Sequence, residues 1–388
     1  MDRLVGSLEQ AGFRGPEIER RARLFSQVAA LLPTRYRSGV NWWHVPGRVE
    51  IFGKHTDYAG GRSLVCATEQ GMAVGAASRS DAMLRVLDAV AGVEVVIPLS
   101  GGYPGSQGDW SNYPATVAAR LASDFGPLEG LDLVFASDIP VAAGVSSSSA
   151  LVVAVALALI DRNGLERRPA YRRSLSSAVQ LAGYLGAVEN GRPFGEFGAA
   201  AGVGTQGGSQ DHTAILCSRG NTALQCRWDP LEIERAVSWP DHFRLVVASS
   251  GVTAEKTGAA LHRYNGVAEM TARLGALLPS RTDGSIGRIV IDAPDEETFM
   301  DDREAVRRAP EPDSDQLLAR FDQLIYECRV AVPEGADALV RDDASALGLI
   351  AAGSQARADS ALGNQIDETR SLVRLALAEG AYAASAFG

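Results

Sequence analysis

The sequence predicts an α+β fold of two lobes, and three observations support that class. The chain has 388 residues, a length that suggests two domains or one elaborate domain. Its composition, with 46% hydrophobic and 22% charged residues, is ordinary for a soluble globular protein. Segments typical of strands and helices are mixed without the regular alternation of a parallel βαβ sheet. We expect the first lobe to cover residues 1–230 and the second to cover residues 231–388.

The first lobe is expected to begin with a helix and continue into a sheet. Apolar positions recur at helical spacing over residues 17–32, directly after Gly15 and Pro16. The stretch WWHVPGRVEIFGKHTDYAGG indicates a strand, a turn and a second strand. RSLVCATEQGMAVGAASR and MLRVLDAVAGVEVVIPL predict further short strands. WSNYPATVAARLASDF indicates a helix that covers the sheet, and LDLVFASDIP indicates a strand.

The remaining chain changes from mixed elements to helices. AYRRSLSSAVQLAGYLGAVEN predicts a helix, and a glycine-rich segment from Gly191 to Gly208 follows it. TAILCS and TALQCRW predict a pair of strands, and HFRLVVASSG predicts a strand that opens the second lobe. Beyond these strands, apolar residues lie at helical spacing over 254–277, 313–330 and 365–379.

Charge, cysteine spacing and hydropathy exclude several classes of protein. A formal net charge of −10 argues against a nucleic-acid partner, which requires a basic surface. The four cysteines are scattered without a CxxC pair, which argues against a disulfide scaffold or a structural zinc site and favours a reducing cytoplasm. The N-terminus lacks the pattern of a signal peptide, and the apolar run from Ala150 to Ile160 is shorter than the ~20 residues of a membrane span. We therefore expect a cytoplasmic protein with no membrane partner.

The stretch PVAAGVSSSSALVVAVALAL, from Pro140 to Leu159, predicts an anion site. A strand ends before it, a loop shaped by Pro140 and Gly144 follows, and the serines lead into an apolar helix. Unpaired N–H groups and the helix dipole make such a helix start attractive to phosphate. The alternative is a polar N-cap without a ligand, for which one serine is enough. The sequence is neither a Walker A loop nor a nucleophile elbow.

A second stretch, PGRVEIFGKHTDYAGG, gathers polar side chains beside tight-turn glycines. Arg48, Lys54, His55, Asp57 and Tyr58 lie within eleven residues of one another. Such density in a loop between strands is typical of a segment that faces a ligand. The structural alternative is that the histidine and the aspartate only pair across a turn.

A third glycine-rich stretch is a weak match to a dinucleotide-binding motif. Gly202, Gly204 and Gly207 formally satisfy G-x-G-x-x-G. The motif should follow a strand and open a helix, whereas this one lies between FGEFGAAA and a strand-like stretch. We do not expect a nicotinamide or flavin nucleotide here.

Together these stretches resemble the GHMP kinase superfamily and, within it, the galactokinases. PGRVEIFGKHTDYAGG is similar to the galactokinase signature PGRVNLIGEHTDYNGG, and PVAAGVSSSSAL is similar to the ATP-phosphate motif P-x-x-x-G-L-S-S-S-A. GGSQDHTAIL resembles C-G-x-M-D-Q, and WSNYPATVAARL contains the W-x-N-Y of galactokinases. LGLIAAGSQARADSALGNQIDETRSLVRLA matches the later helices of the family more loosely. The resemblance implies a two-lobed fold with ATP and a sugar in the cleft between the lobes.

The resemblance also implies the catalytic residues. Asp211 matches the aspartate that acts as base toward the sugar hydroxyl, and Arg48 matches the arginine that supports this aspartate and the transferring phosphoryl group. The chemistry is consistent, because phosphoryl transfer depends on positioning and charge neutralisation. An adjacent arginine keeps the carboxylate ionised, so that it can accept a proton.

The ATP phosphates and magnesium are assigned by the same resemblance. The residues implied to bind the phosphates are Gly144, Ser146, Ser147, Ser148 and Ser149. Ser148 matches a serine that coordinates Mg²⁺, and Glu189 best matches the acidic ligand of that ion. A glycine-rich insertion over residues 191–204 separates Glu189 from Asp211, and the alternative for Glu189 is a solvated helix end.

The sugar site is implied by four residues, one of which departs from the family. His55 and Asp57 match sugar-binding positions, and Tyr264 matches a tyrosine that contacts the sugar. A carboxylate bridging two adjacent hydroxyls would distinguish sugar configurations. Lys54 stands where galactokinases have glutamate, which suggests a carboxylate-bearing sugar such as a uronic acid. The alternative is that Lys54 turns outward or pairs with a local acid.

The resemblance implies an ATP-dependent kinase of galactose metabolism that phosphorylates the anomeric hydroxyl of galactose or a related sugar. It is expected to bind sugar and ATP as small molecules, and to be a monomer or weak homo-oligomer. LALAEGAYAASAFG is similar to the segment that precedes the third, glycine-rich motif of the superfamily, so we expect the second lobe to lack its last strand and that loop. The alternative function is a catalytically weak or silent regulator that binds sugar and ATP.

Overall fold

The computed structural model describes residues 2–10, 12–32, 39–101, 109–140, 143–252, 258–278, 284–310 and 312–386. The strands in this part of the chain are β1 (Val40–Phe52), β2 (Arg62–Ser78), β3 (Met83–Asp88), β4 (Val93–Pro98), β5 (Leu131–Ser137), β6 (Thr222–Trp228) and β7 (Leu231–Ser238). The helices of the N-terminal part are α1 (Asp2–Gln10), α2 (Pro16–Leu31), α3 (Asn112–Phe125), α4 (Ser147–Asn163), α5 (Pro169–Ser174), α6 (Ala178–Asn190) and α7 (Gln210–Cys217). The later helices are α8 (Gly258–Leu277), α9 (Ile286–Asp292), α10 (Glu296–Arg308), α11 (Ser314–Tyr326), α12 (Val332–Val340), α13 (Ala344–Ala361) and α14 (Asp367–Ala378).

The strands form one mixed sheet around the long strand β2. In the described residues the order is β4-β3-β5-β2-β6-β7, and β1 pairs with β2 outside this path. The second half of β2 pairs with β5, and its first four residues pair with β6. Only the β3–β5 pair is parallel among these ladders. The stretch PGRVEIFGKHTDYAGG, residues 46–61, begins in β1, and we call it the polar signature. The sheet thus brings the polar signature close to the loop that follows β5.

Helix α4 lies in the middle of the main hydrophobic core. Its residues from Ser149 to Ala156 are all buried, and the helix is apolar around its whole circumference. A helix of this kind is stable only when it is covered on all sides. Its N-terminus is therefore fixed by the packing of the entire helix, which makes the loop before it a rigid platform.

A second core lies among the later helices. Leu274 of α8, Val290 of α9, Phe321 and Leu324 of α11 and Cys328 pack in one cluster. All five side chains are fully buried. Ala59 of the polar signature belongs to the same cluster. The sheet with its helices and the later helices together give the predicted two-lobed α+β fold.

Four predictions of secondary structure are wrong. WWHVPGRVEIFGKHTDYAGG contains one strand, β1, with a register shift between Pro46 and Arg48, and not two strands. TAILCS belongs to helix α7 and is not a strand, because a short apolar run does not distinguish a buried helix from a strand. AYRRSLSSAVQLAGYLGAVEN forms two helices, α5 and α6, with a break between Ser174 and Ala178. HFRLVVASSG forms no strand, since β7 ends the sheet and no described strand pairs with this segment.

Helices are confirmed at five of the predicted places. Helices occur at the predicted places after Pro16, after Asn112 and within 254–277, 313–330 and 365–379. The four cysteines are free. Within the described ranges, none of the helices combines the length and the apolar character needed to cross a membrane.

Candidate active site

The serine run forms the start of α4, but its first serine does not cap the helix. Ser146 occupies the N-cap position with φ 61° and ψ 43°, a left-handed conformation. Its hydroxyl makes no cap hydrogen bond and donates instead to Oδ2 of Asp211, at 2.6 Å. The alternative of a plain polar N-cap is therefore wrong for this residue. The N–H groups of the first helical turn remain available to an anion.

Arg48 reaches the same place from β1. A register shift between Pro46 and Arg48 interrupts the β1–β2 ladder at Gly47. A Cβ atom on Gly47 would lie 2.7 Å from the carbonyl oxygen of Val145, so only glycine permits this approach to the loop. The backbone N–H of Arg48 then donates to that carbonyl at 3.2 Å. The signature strand and the phosphate-loop candidate are thus held in direct contact.

The guanidinium of Arg48 joins the loop to Asp211. Its Nε donates to Oδ1 of Asp211 at 2.7 Å, and Nη1 donates to the carbonyl of Gly144 at 2.6 Å. Burial works against the charge, but the carboxylates of Asp211 and Glu50 raise the pKa of Arg48 above its ordinary value. Arg48 therefore stays a cation in contact with the aspartate.

Asp211 lies in the first turn of α7, where the helix dipole favours a carboxylate. Besides Arg48 and Ser146, the hydroxyl of Ser149 donates to its Oδ2 at 3.2 Å. The structure thus brings together the two residues predicted to be catalytic and two of the four serines.

Glu189 is buried at the end of α6, next to the serine run. It is 5% exposed, so the alternative of a solvated helix end is wrong. Its Oε2 accepts a hydrogen bond from Ser149 at 3.0 Å and lies 3.1 Å from Nε2 of His212. Ser149 thus bonds Glu189 directly, while the neighbouring Ser148 is half-buried in the first turn of α4.

The oxygen donors here are of the kind that Mg²⁺ prefers. A carboxylate and a serine hydroxyl are hard ligands, and Mg²⁺ usually takes only one or two such groups from the protein together with phosphate oxygens and water. In the described part of the chain, no group of three or more His, Cys, Asp or Glu side chains is arranged to hold a metal. The donor types of Ser148 and Glu189 are compatible with a phosphate-bound magnesium ion, but the serine in contact with Glu189 is Ser149.

The polar signature, α7 and the turn after α13 enclose a cavity beside Asp211. Its lining residues are Arg48, Glu50, Lys54, His55, Asp57, Tyr58, Gln210, Asp211, Leu362, Asn364 and Gln365. Three of the four predicted sugar-binding residues line it. The fourth, Tyr264, has its side chain outside the described residues. The neighbouring Asn265 contacts the segment after the 191–204 insertion, since its Oδ1 accepts from the N–H of Gln206 at 3.2 Å.

His55 is held as a neutral imidazole on the cavity wall. Its Nδ1 lies 2.8 Å from the hydroxyl of Tyr58, and its Nε2 lies 2.9 Å from Nδ2 of Asn364. Removal from water, with the nearby cations of Arg320 and Lys54, lowers the pKa of His55 to about 3. At neutral pH the ring therefore offers one N–H donor and one acceptor nitrogen.

Asp57 is positioned by the segment that follows the insertion. Its Oδ2 accepts a hydrogen bond from the N–H of Gly208 at 3.0 Å, and a Cβ atom on Gly208 would lie 2.5 Å from the same oxygen. The Asn190 side chain fixes this segment, because its Oδ1 accepts from the N–H of Gly207 at 2.6 Å. Removal from water, followed by the charge of Asp211, raises the pKa of Asp57. His55 and Asp57 thus have separate partners across the loop.

Lys54 is buried and does not turn outward. Its side chain is part of a residue that is 4% exposed, and its Nζ donates to the hydroxyls of Ser354 at 2.6 Å and Ser385 at 2.5 Å. The Ser354 hydroxyl donates in turn to Glu327 at 2.5 Å. Lys54 therefore does not bond the carboxylate of Glu327 directly, because the hydroxyl of Ser354 lies between them.

Five of the cavity residues were missed by the sequence analysis: Glu50, Gln210, Leu362, Asn364 and Gln365. Glu50 follows Arg48 by two residues, so strand alternation places both on one face of β1. Its Oε2 accepts from Nε2 of Gln210 at 2.8 Å, and removal from water raises its pKa against the opposing effect of Arg48. Glu50 also stands where the galactokinase signature has asparagine, which was a usable signal. Asn364 carried none, because only the folded chain brings it to His55.

The G-x-G-x-x-G stretch lies in a loop between α6 and α7. Residues 198–208 contain no strand or helix, so the motif does not form the strand-to-helix turn of a dinucleotide site. The inserted segment instead packs on α6, with Phe194 and Phe197 placed edge-on to Tyr184 at ring-centroid distances of 5.9 and 5.6 Å. The insertion therefore supports the segment that carries Gly208.

Comparison with known families matches both parts of this site. Residues 34–78 match the galactokinase galactose-binding signature, and residues 112–194 match the N-terminal domain of GHMP kinases. These two matches contain Arg48, the serine run and Glu189, so the chain is similar to GHMP kinases and to galactokinases in the part that forms the candidate site.

The chain is also similar to individual galactokinases. The chain is 33% identical over 183 residues to the galactokinase of Streptomyces coelicolor, covering 47% of this chain and 42% of that protein. It is 29% identical over 252 residues to the galactokinase of Chloroflexus aurantiacus, covering 64% of this chain and 57% of that protein. The chain thus spans about half the length of these relatives. In fold it is similar to the galactokinase of Lactococcus lactis solved with galactose, with a TM-score of 0.69 at 19% identity over 92% of this chain and 84% of that one.

Proposed function

We propose that this protein is an ATP-dependent sugar kinase that phosphorylates the anomeric hydroxyl of galactose or a related monosaccharide. The observation that carries the proposal is that two side chains bond the carboxylate of Asp211. Arg48 comes from the polar signature, and Ser146 comes from the serine run before α4. This carboxylate also borders the polar cavity. This arrangement supports Asp211 as a base that would lie between a site for a polyol and a site for an anion.

Asp211 would act as the general base. The anomeric hydroxyl transfers its proton to a carboxylate oxygen of Asp211, and its oxygen forms a bond to the γ-phosphorus while the bond from that phosphorus to the ADP oxygen breaks. Arg48 keeps the carboxylate ionised before transfer and balances negative charge on the transferring group. The protein thus contributes position and charge, which are the main needs of phosphoryl transfer.

The ATP phosphates would lie at the N-terminus of α4. The groups proposed to bind them belong to Gly144, Ser146, Ser147, Ser148 and Ser149. Ser148 and Glu189 would hold Mg²⁺, which when bound neutralises charge on the phosphate oxygens.

His55, Asp57 and Tyr264 would contact the sugar, and Lys54 would set its class. Asp57 can accept hydrogen bonds from two adjacent hydroxyls. Both ring nitrogens of His55 face partners in the protein, Tyr58 and Asn364, so a sugar hydroxyl would bond His55 by replacing one of them. Lys54 is a buried cation on the cavity wall and could pair with a carboxylate at the far end of the sugar. We therefore propose galactose and its uronic acid as the first two candidates.

A coupled assay of ADP release tests both levels of this proposal. Galactose, galacturonate, arabinose and mevalonate are compared at equal concentration with MgATP. Sugar-dependent ADP release supports a sugar kinase, whereas release only with mevalonate would contradict it. A kcat/KM for galacturonate that does not exceed that for galactose would overturn the role given to Lys54. Lys54→Glu restores the residue of the galactokinase signature and should shift the ratio toward galactose.

The second candidate is a regulator that binds sugar and ATP without turnover. Binding of sugar and ATP measured by calorimetry, with no ADP release over hours, would support it. For either function we propose a cytoplasmic monomer or weak homo-oligomer, with the boundary between lobes near residue 230.

A further inference from the structure

One face of α11 and of the π-helical turn that follows it is polar and completely buried. Arg320, Gln323 and Glu327 lie three and four residues apart, a spacing that places them on the same side of a helix. All three are 0% exposed. The adjoining side carries Leu317, Phe321, Leu324 and Cys328, which belong to the apolar cluster of the later helices. Packing alone explains the apolar side, so the polar side needs another explanation.

The three polar side chains bond the backbone of three consecutive residues of the polar signature. Glu327 accepts from the N–H of Gly53 at 2.8 Å, Gln323 donates to the carbonyl of Lys54 at 3.0 Å, and Arg320 donates to the carbonyl of His55 at 2.5 Å. The order along the helix is the reverse of the order along the loop. Each of the three side chains therefore bonds the backbone of one loop residue.

The loop segment held in this way has an unusual backbone. Gly53 has φ of +100° and His55 has φ of +57°, both in the left-handed region. A non-glycine residue rarely adopts this conformation unless its surroundings determine it. The backbone bonds from α11 supply such a constraint, and they orient the side chains of Lys54 and His55 on the cavity wall.

The set of three also fixes the Lys54 side chain. Glu327 accepts from Ser354, which accepts from Nζ of Lys54, so one carboxylate holds both the N–H of Gly53 and, through a hydroxyl, the lysine head. Arg320 is itself braced, since Thr271 Oγ1 accepts from its Nε at 3.2 Å. Burial lowers the pKa of Arg320, which marks the cost of keeping this cation in the core.

We propose that Arg320, Gln323 and Glu327 are positioning residues that hold residues 53–55 in the conformation that binds the sugar. The residues touch the loop backbone and not the reacting atoms. Their effect on kinetics rests on the proposed function, but their effect on the loop does not. The specificity of the sugar site would then depend in part on a helix that lies more than 260 positions later in the chain.

Hydrogen exchange of the ligand-free protein tests this directly. Gln323→Met keeps the volume but cannot donate to Lys54, and Arg320→Gln removes the donor to His55. Each should accelerate exchange of amides in 53–58 roughly fivefold to tenfold, the expected effect of losing one buried hydrogen bond. Arg329→Gln is the matched control, because Arg329 bonds the backbone carbonyls of Val290 and Ala293 and not the loop.

The kinetic readout separates positioning from a general loss of stability. In the two test variants the KM for the sugar should rise about tenfold while the KM for ATP stays within twofold; Arg329→Gln should change neither. Unchanged exchange in 53–58 in folded Gln323→Met and Arg320→Gln would overturn the proposal, as would equal acceleration in Arg329→Gln. If the wild-type chain phosphorylates no sugar, the proposed function fails, and the exchange data still decide whether α11 holds the loop.

Discussion

At the scale of single residues, Asp211 is the junction of the site. Arg48, Ser146 and Ser149 all donate to its two oxygens, and these donors come from β1 and α4. These hydrogen bonds fix the orientation of the Asp211 carboxylate beside the cavity. A substitution that removes its charge but keeps its size therefore tests the charge alone.

Replacing the carboxylate tests the role of base. Asp211→Asn keeps the size of the side chain but cannot accept the hydroxyl proton, so kcat should fall roughly 100- to 10,000-fold. Sugar binding measured by calorimetry should change much less. Asp81→Asn is the control, since Asp81 pairs with Arg79 at the surface. A kcat for Asp211→Asn within tenfold of the wild type would contradict the assignment.

His55 gives the folded protein a defined sensitivity to acid. Its pKa is about 3 in the folded protein and 6.5 ordinarily, so between these values the unfolded chain binds a proton that the folded chain does not. The free energy of unfolding should therefore decrease as the pH falls below 6.5, by up to about 2 kcal/mol from this group between pH 7 and pH 5.

Urea denaturation at the two pH values checks this. His55→Gln should lose less stability on going from pH 7 to pH 5 than the wild type does. His242→Gln alters a histidine whose side chain is 67% exposed and serves as the control. The explanation is wrong if both variants show the same pH dependence as the wild type.

At the scale of elements, the start of α4 combines a left-handed residue with a buried helix. Ser146 has φ 61°, a region in which glycine is favoured over alanine. Ser146→Gly should therefore be more stable than Ser146→Ala by about 1 kcal/mol, although both lose the bond to Asp211. Chemical denaturation measures the difference.

The same pair of substitutions at Ser123 should give the opposite order. Ser123 is exposed in the helix α3, where glycine is less favourable than alanine by about 1 kcal/mol. An equal or reversed order at Ser146 would show that its left-handed backbone does not persist in solution.

How well the sequence predicted each element depends on where its information lies. Helix α4 and strand β5 were predictable because each carries a pattern within its own residues. Helix α4 is apolar on all sides, and the sequence of β5 has apolar residues at alternate positions. Helix α7 was predicted as a strand, since Thr213 and Ile215 are β-branched and its helical state depends on packing against α6. The contacts of Lys54 with Ser354 and of His55 with Asn364 could not be predicted, because no local pattern relates residues so far apart.

At the scale of the whole molecule, one apolar segment lies outside the sheet. Residues 243–249 have the composition of a strand, yet Leu245 is 46% exposed and Val246 is 82% exposed. Short segments with high β-propensity and little charge promote association when they are exposed. We expect the protein to associate as its concentration rises.

Val246→Lys should weaken this association without changing the thermal unfolding temperature. Light scattering over a concentration series measures the effect. Val90→Lys changes a valine that is 61% exposed in the turn between β3 and β4, and it should leave association unaltered. Equal association in all three proteins would exclude the segment as its cause.

The bond between Lys54 and Ser385 spans 331 positions of the chain, and that between His55 and Asn364 spans 309. During synthesis at ~5–20 residues per second, the signature loop emerges roughly 15 to 65 s before its last partner. The cavity beside Asp211 therefore becomes complete only after these later partners have been synthesised. A chain whose synthesis stalls after α7 already contains Arg48 and Asp211, but it has no wall on the far side of the cavity.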